Sequence, residues 1–96
     1  MQPIRVLIAD DEALVRRALR LFVDAESELE VVGEASDGPS AVDQSISLNP
    51  DIVLMDIRMP GGDGITAIER VATALPLTRC VALTTYRSDE TVVAAL

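Results

Sequence analysis

The sequence predicts an α/β fold, a doubly wound parallel sheet. Two observations carry this. Short apolar runs rich in Val, Ile and Leu alternate with longer stretches of helical spacing, the pattern of βαβ units with right-handed crossovers. Several of the short runs are apolar at every position, as strands covered on both faces of a parallel sheet must be.

The first strand is Ile4-Arg5-Val6-Leu7-Ile8-Ala9, ended by Asp10-Asp11-Glu12. Residues 12–26 have helical spacing. Leu14, Ala18, Leu21 and Phe22 share a face, and Arg16, Arg17 and Arg20 lie mostly elsewhere. Acid at the start and arginine further on suit the helix dipole. Residues 29–35 form a second strand whose Glu30, Gly33 and Glu34 suggest an edge position. Asp37-Gly38-Pro39 turns the chain into a helix over 39–48, which Asn49-Pro50 stops. Residues 51–56, Asp-Ile-Val-Leu-Met-Asp, are a third strand. After the Gly- and Pro-rich loop 59–64, Asp63 or Gly64 opens a helix carrying Ile65, Ile68, Val71 and Ala72. Residues 79–84 are a fourth strand. Ser88-Asp89-Glu90 then reads as an N-cap with acid in the first turn of a helix. Cys80-Val81-Ala82-Leu83 is apolar on both faces and carries no protective charge, so the fourth strand reads as interior, with a fifth neighbour missing. The expectation is one incomplete domain over residues 1–96.

Composition narrows the function. Sixteen acidic residues against eight arginines give a net charge of −8, with no lysine and no histidine. Such a surface argues against direct nucleic-acid binding, which needs clustered cations. It suits a bound cation or a basic partner. The lack of histidine removes the usual general base and transition-metal ligand. A single cysteine, Cys80, reads as a small buried hydrophobe in a reducing compartment. No signal peptide or membrane-length apolar run is visible, so a cytoplasmic location is expected.

Sites on open parallel sheets form beyond the carboxyl ends of strands. Asp10, Asp11 and Glu12 end the first strand and Asp56 ends the third. If these strands are neighbours, about 4.8 Å apart, their acids share one crevice. Two unit charges about 4 Å apart repel by roughly 4 kcal/mol at an effective dielectric of 20. Either a pKa rises or a cation joins them. Oxygen-only donors select a hard cation such as Mg²⁺. Asp56 would then be a nucleophile toward a phosphoryl group. Each acid also has a plain reading: Asp10 and Asp11 can cap the first helix, Asp51 starts a strand and Asp63 caps a helix. Thr84 and Thr85 end the fourth strand on the same edge, where a hydroxyl either serves the phosphoryl group or is simply a β-branched strand residue.

The N-terminal strand running into Asp10-Asp11-Glu12, the segment Asp51-Ile-Val-Leu-Met-Asp56-Ile-Arg-Met-Pro60 with Asp63-Gly64, and Val81-Ala-Leu-Thr-Thr85 together resemble the receiver domain of bacterial two-component response regulators. Gly33-Glu-Ala-Ser-Asp-Gly38 and Leu83-Thr-Thr-Tyr86 look most like regulators with a LuxR-type (NarL/FixJ-like) helix-turn-helix. The resemblance covers the first four of the family's five βα units. It implies a flavodoxin-like fold with strand order 2-1-3-4, the fifth strand and last helix missing. It implies that Asp56 takes phosphate from a sensor histidine kinase. Asp10 and Asp11 would bind Mg²⁺ with Asp56 and the backbone carbonyl of Arg58. Thr84 would be the switch hydroxyl, and the Arg58 and Tyr86 side chains would tune hydrolysis. DNA would be reached only through a domain outside this chain, and the chain would not itself be an enzyme.

The sequence departs from the family in lacking its fifth-strand lysine, since no lysine exists here. A Mg²⁺-dependent aspartyl phosphohydrolase and a phosphate-silent interaction module of the same fold are the competing readings. The former usually has an acid two residues past its nucleophile, where this chain has Arg58. Apolar faces left bare by the missing elements predict self-association.

Overall fold

A computed structural model of the chain describes residues 2–59, 64–85 and 91–95, with residues 84, 85 and 91–95 described by their backbone. The elements run β1 (Ile4–Ala9), α1 (Ala13–Asp24), β2 (Leu29–Ala35), α2 (Gly38–Leu48), β3 (Ile52–Asp56), α3 (Gly64–Ala74), β4 (Arg79–Thr85) and β5 (Thr91–Ala95). The first four strands are parallel in the order β2-β1-β3-β4, the doubly wound arrangement the alternation predicts.

Local chemistry sets the boundaries. The side chain of Asp37 accepts a hydrogen bond from the Ser40 amide at 2.7 Å and caps α2, with Pro39 in the first turn. Asn49 ends that helix in the left-handed region, at φ 49°. Arg5 Nη1 donates to the carbonyls of Leu48 and Asn49 at 2.7 and 3.0 Å, occupying acceptors that a helix end leaves free. Asp51, expected as a plain strand-start residue, accepts from the Arg5 amide at 2.8 Å and ties β1 to the start of β3.

The two faces of the sheet are covered unequally. On the α2 and α3 side, Leu7, Val53, Met55, Cys80 and Ala82 are 0–6% exposed and join Ala41, Ile68 and Val71 in the main core. Burial also pushes the Cys80 thiol pKa up. On the other face α1 is the one helix among the described residues. Val6, Ile8 and Val23 are buried there, while Ile52 and Leu54 are only partly covered. The sequence grouped Leu14, Ala18, Leu21 and Phe22 on one helical face, but Leu14, Leu21 and Phe22 are 79%, 67% and 75% exposed. The side of α1 that meets the sheet instead carries Leu19 and Val23. The apolar stripe is turned partly beyond the sheet, bordering an open groove of about 370 Å³ over Leu83.

The end of the chain corrects the sequence reading. A helix was expected from Ser88-Asp89-Glu90, and no fifth strand. Those three residues lie outside the described ones. Thr91–Ala95 is a strand, antiparallel to β4, with Thr84 opposite Val92 and Val81 opposite Ala95. Thr91-Val92-Val93 is β-branched and favours a strand. The unprotected ladder edge of β4 supplies the hydrogen-bond partners.

Candidate functional site

Register brings the acids together. Ala9 pairs with Met55 across β1 and β3, so Asp10 emerges beside Asp56. One carboxylate oxygen from each of Asp10, Asp11 and Asp56 can be chosen so that all lie within 4.8 Å of one another. Asp10 and Asp56 are 1% and 4% exposed, while Asp11 is open to solvent. The crevice therefore has two recessed acids and one at its mouth.

Backbone amides orient the recessed pair. Asp10 Oδ1 accepts from the Glu12 amide at 2.8 Å. Asp56 Oδ1 accepts from the Arg58 amide at 3.0 Å. Each bond closes a short turn at a strand end, the Asx geometry such residues favour. The first residue of α3 supports the second turn. The Gly64 amide donates to the Ile57 carbonyl at 3.0 Å. A Cβ at Gly64 would stand 2.2 Å from the Asp56 carbonyl oxygen, so only glycine fits there.

Burial is the largest influence on both recessed acids. It raises Asp10 from 3.8 to about 6, opposed by the Glu12 amide and reinforced by the charges of Asp56, Asp11 and Glu12. Burial likewise raises Asp56, opposed by the Arg58 amide, with Asp11 adding repulsion and a hydrogen bond from Asp10 offsetting part of it. Three convergent carboxylates, two of them disfavoured as bare anions, are a donor set for a hard divalent cation. The chain has no histidine, and its one cysteine is buried in the core, so the chemistry of the site is oxygen-only and fits Mg²⁺.

The remaining sequence candidates divide. The amide of Arg58 holds Asp56, and its side chain is exposed beside the site. Asp56 pairs with Leu83 across β3 and β4, so the Thr84 backbone follows one residue later on the same sheet edge. The side chain of Thr84, all of Tyr86 and Asp63 lie outside the described residues.

One contact was not legible in the sequence. Arg16 Nη1 donates to the Asp10 carbonyl at 2.7 Å, and its Nε meets Glu34 Oε1 at 3.2 Å. Arg20 also bonds Glu34. The sequence marked Arg16 only as lying off the apolar face and Glu34 only as an edge-strand charge. Their meeting requires the β1–β2 adjacency.

Comparison with known proteins places this geometry. Residues 6–96 match the response regulator receiver domain family. The transcriptional regulatory protein LiaR of Bacillus subtilis is 42% identical over 89 residues, 93% of this chain and 42% of LiaR. The DNA-binding transcriptional activator DevR/DosR of Mycobacterium tuberculosis is 37% identical over 97% of this chain and 43% of its own length. The chain thus spans less than half the length of these curated relatives. A protein-glutamate methylesterase/protein-glutamine glutaminase of Carboxydothermus hydrogenoformans is 42% identical, but the match covers only 28% of it. Among solved structures, the response regulator domain of Thermotoga maritima CheB superposes with TM-score 0.84 at 39% identity, covering 88% of this chain and 62% of that one. The receiver domain of the putative response regulator NarL from M. tuberculosis gives 0.82 at 30%, covering 90% and 69%. Matched along nearly its whole length in sequence, and in fold to solved receiver structures, this chain belongs to the response regulator receiver domain family.

Proposed function

We propose that residues 1–96 are the phosphoacceptor unit of a cytoplasmic transcriptional response regulator of the LuxR-type subfamily. Asp56 takes the phosphoryl group of a sensor kinase phosphohistidine, and a DNA-binding domain outside this sequence provides the output. The observation that carries this reading is the convergence of Asp10, Asp11 and Asp56 within 4.8 Å at the ends of β1 and β3. The relatives support the transcriptional part of this reading, since LiaR and DevR/DosR are described as a transcriptional regulatory protein and a transcriptional activator. No helix of the described residues is long and apolar enough to cross a membrane.

An Asp56 carboxylate oxygen attacks phosphorus, the bond from phosphorus to the imidazole nitrogen breaks, and the histidine leaves. Asp10, Asp11, Asp56 and the backbone carbonyl of Arg58 would hold Mg²⁺. When bound, the ion neutralises charge on the phosphoryl oxygens and on the three acids. The Glu12 and Arg58 amides fix the recessed carboxylates before the partner arrives, so little reorganisation is left for the reaction. Thr84 donates its hydroxyl to the phosphoryl group. Arg58 and Tyr86 shield the acyl phosphate and set its lifetime. The chain thus accepts and loses phosphate rather than turning over an external substrate. A phosphohydrolase reading is disfavoured by Arg58, which stands where that chemistry wants a second acid. The exposed stripe of Leu14, Leu21 and Phe22 supports self-association as a further property.

Incubation with Mg²⁺ and a small acyl phosphate, read by intact mass, tests the assignment. A phosphoryl adduct is expected on the wild type and none on Asp56→Asn. An equal adduct on both, or none on either together with no Mg²⁺ binding, would refute it.

A further inference from the structure

The Asp10 amide is held by the sheet, donating to the Ala35 carbonyl at 3.0 Å. The Asp10 carbonyl accepts from Arg16 Nη1 at 2.7 Å, across a turn from β1 to α1. That carbonyl belongs to the peptide joining Asp10 to Asp11, so its direction sets where the Asp11 side chain leaves the backbone. Asp11 is the exposed member of the cluster and has little packing of its own to hold it.

The guanidinium is itself anchored. Its Nε meets Glu34 Oε1 on β2 at 3.2 Å, and the side chains of Arg16 and Glu34 are only 22% and 31% exposed. Glu34 is bound a second time by Arg20 and, through its backbone carbonyl, by Gln44 Nε2 of α2 at 2.7 Å. A planar fork that donates from Nη1 to a carbonyl and from Nε to a carboxylate is a geometry lysine cannot reproduce. Glu34 also matters for charge. A lone guanidinium this near three acids would compete with a cation for them, and pairing with Glu34 offsets that repulsion.

We propose that Arg16, held by Glu34, is a positioning residue for the cation-binding acids and acts through the Asp10 carbonyl. This rests on the Mg²⁺-binding reading of the cluster. Two effects of removing Arg16 have opposite signs. Loss of a nearby positive charge tightens cation binding, and loss of orientation weakens it. Groups that orient metal ligands from behind typically change affinity about 10–100-fold when removed, more than the gain expected from an already paired charge.

The test is Mg²⁺ affinity by calorimetry for the wild type, Arg16→Gln and Arg16→Lys. The amide resonances of Asp11 and Glu12 are recorded without the ion. Weakening of about tenfold or more is expected for Arg16→Gln. Distinct weakening is also expected for Arg16→Lys, although the charge is kept. The Asp11 amide should shift or broaden in both. Unchanged or tighter binding in Arg16→Gln, or wild-type affinity in Arg16→Lys, would overturn the proposal. Far-UV circular dichroism checks that both variants fold. If Arg16→Gln does not, Arg16→Lys decides alone. A wild type that binds no Mg²⁺ removes the function proposed above and this inference with it. A wild type that binds while Arg16→Gln binds equally well removes only the inference.

Discussion

Replacing Asp10 by asparagine should stabilise the metal-free chain while removing a carboxylate of the proposed cation site. The carboxyl of Asp10 is raised from 3.8 to about 6, first by burial and then by its acidic neighbours. A folded-state pKa above the unfolded value means that the folded state favours the protonated form. This group's contribution to stability is therefore fully present below about pH 4 and is lost as pH rises through about 6. About two pH units correspond to ~3 kcal/mol at 1.36 kcal/mol per unit. Solvent reaching the crevice past exposed Asp11 screens the charges, and ~1–2 kcal/mol is the better expectation. Asparagine keeps the acceptor for the Glu12 amide but has no charge to desolvate. At pH 7.5 with chelator present, Asp10→Asn should melt roughly 5–15 °C above the wild type. The gain should shrink through pH 6–4 and vanish near pH 3.5. Added Mg²⁺ should stabilise the wild type more than the variant, by mass action. Thermal unfolding by circular dichroism across this range measures all three. A variant no more stable than wild type at pH 7.5, or a gain that persists at pH 3.5, would refute the electrostatic reasoning.

Other substitutions probe the frame around the site. Gly64→Ala should destabilise by about 1–3 kcal/mol or more, because its Cβ meets the Asp56 backbone, which cannot yield. Gly33→Ala should be milder, since its Cβ meets the ends of the Gln44 and Leu48 side chains; urea midpoints of the two variants compare them directly. Asn49→Gly should be nearly neutral and Asn49→Ala should lose about 1 kcal/mol, reflecting the left-handed end of α2. Phe22→Gln and Leu14→Gln should reduce self-association in sedimentation while changing stability by no more than about 0.5 kcal/mol, because both side chains are exposed.

Much of the frame could be read from the residues. β2 has the span read for it, α2 follows the Asp37-Gly38-Pro39 turn, and Asn49-Pro50 stops it. These are short-range signals that tertiary context did not override. The meeting of Asp10 with Asp56 needed only one assumption, that the first and third strands are neighbours, and the sheet has that order. The chain end resisted because it carries two conflicting signals. Ser88-Asp89-Glu90 looks like a helix start, whereas Thr91-Val92-Val93 favours a strand, and an open sheet edge lay within reach. For α1 the pattern revealed the apolar stripe but not its direction, which depends on what stands opposite. The Arg16 contact with Asp10 joins residues only six apart. Its anchor on Glu34 comes from a different strand, so no local pattern announces it.

The unequal covering of the sheet has a consequence for how the molecule opens. β1 and β3 are central strands with Leu7, Ile8, Val53 and Met55 fully buried, and their amides should exchange with solvent at the slowest, global rate. The half-covered α1 face should exchange sooner, through local opening. Asp10 and Asp56 are attached to the ends of the two slow strands. Asp10 and Asp56 thus ride on the last part of the fold to come apart, and an opening of the α1 layer, which carries Arg16, reaches Asp11 before it reaches them.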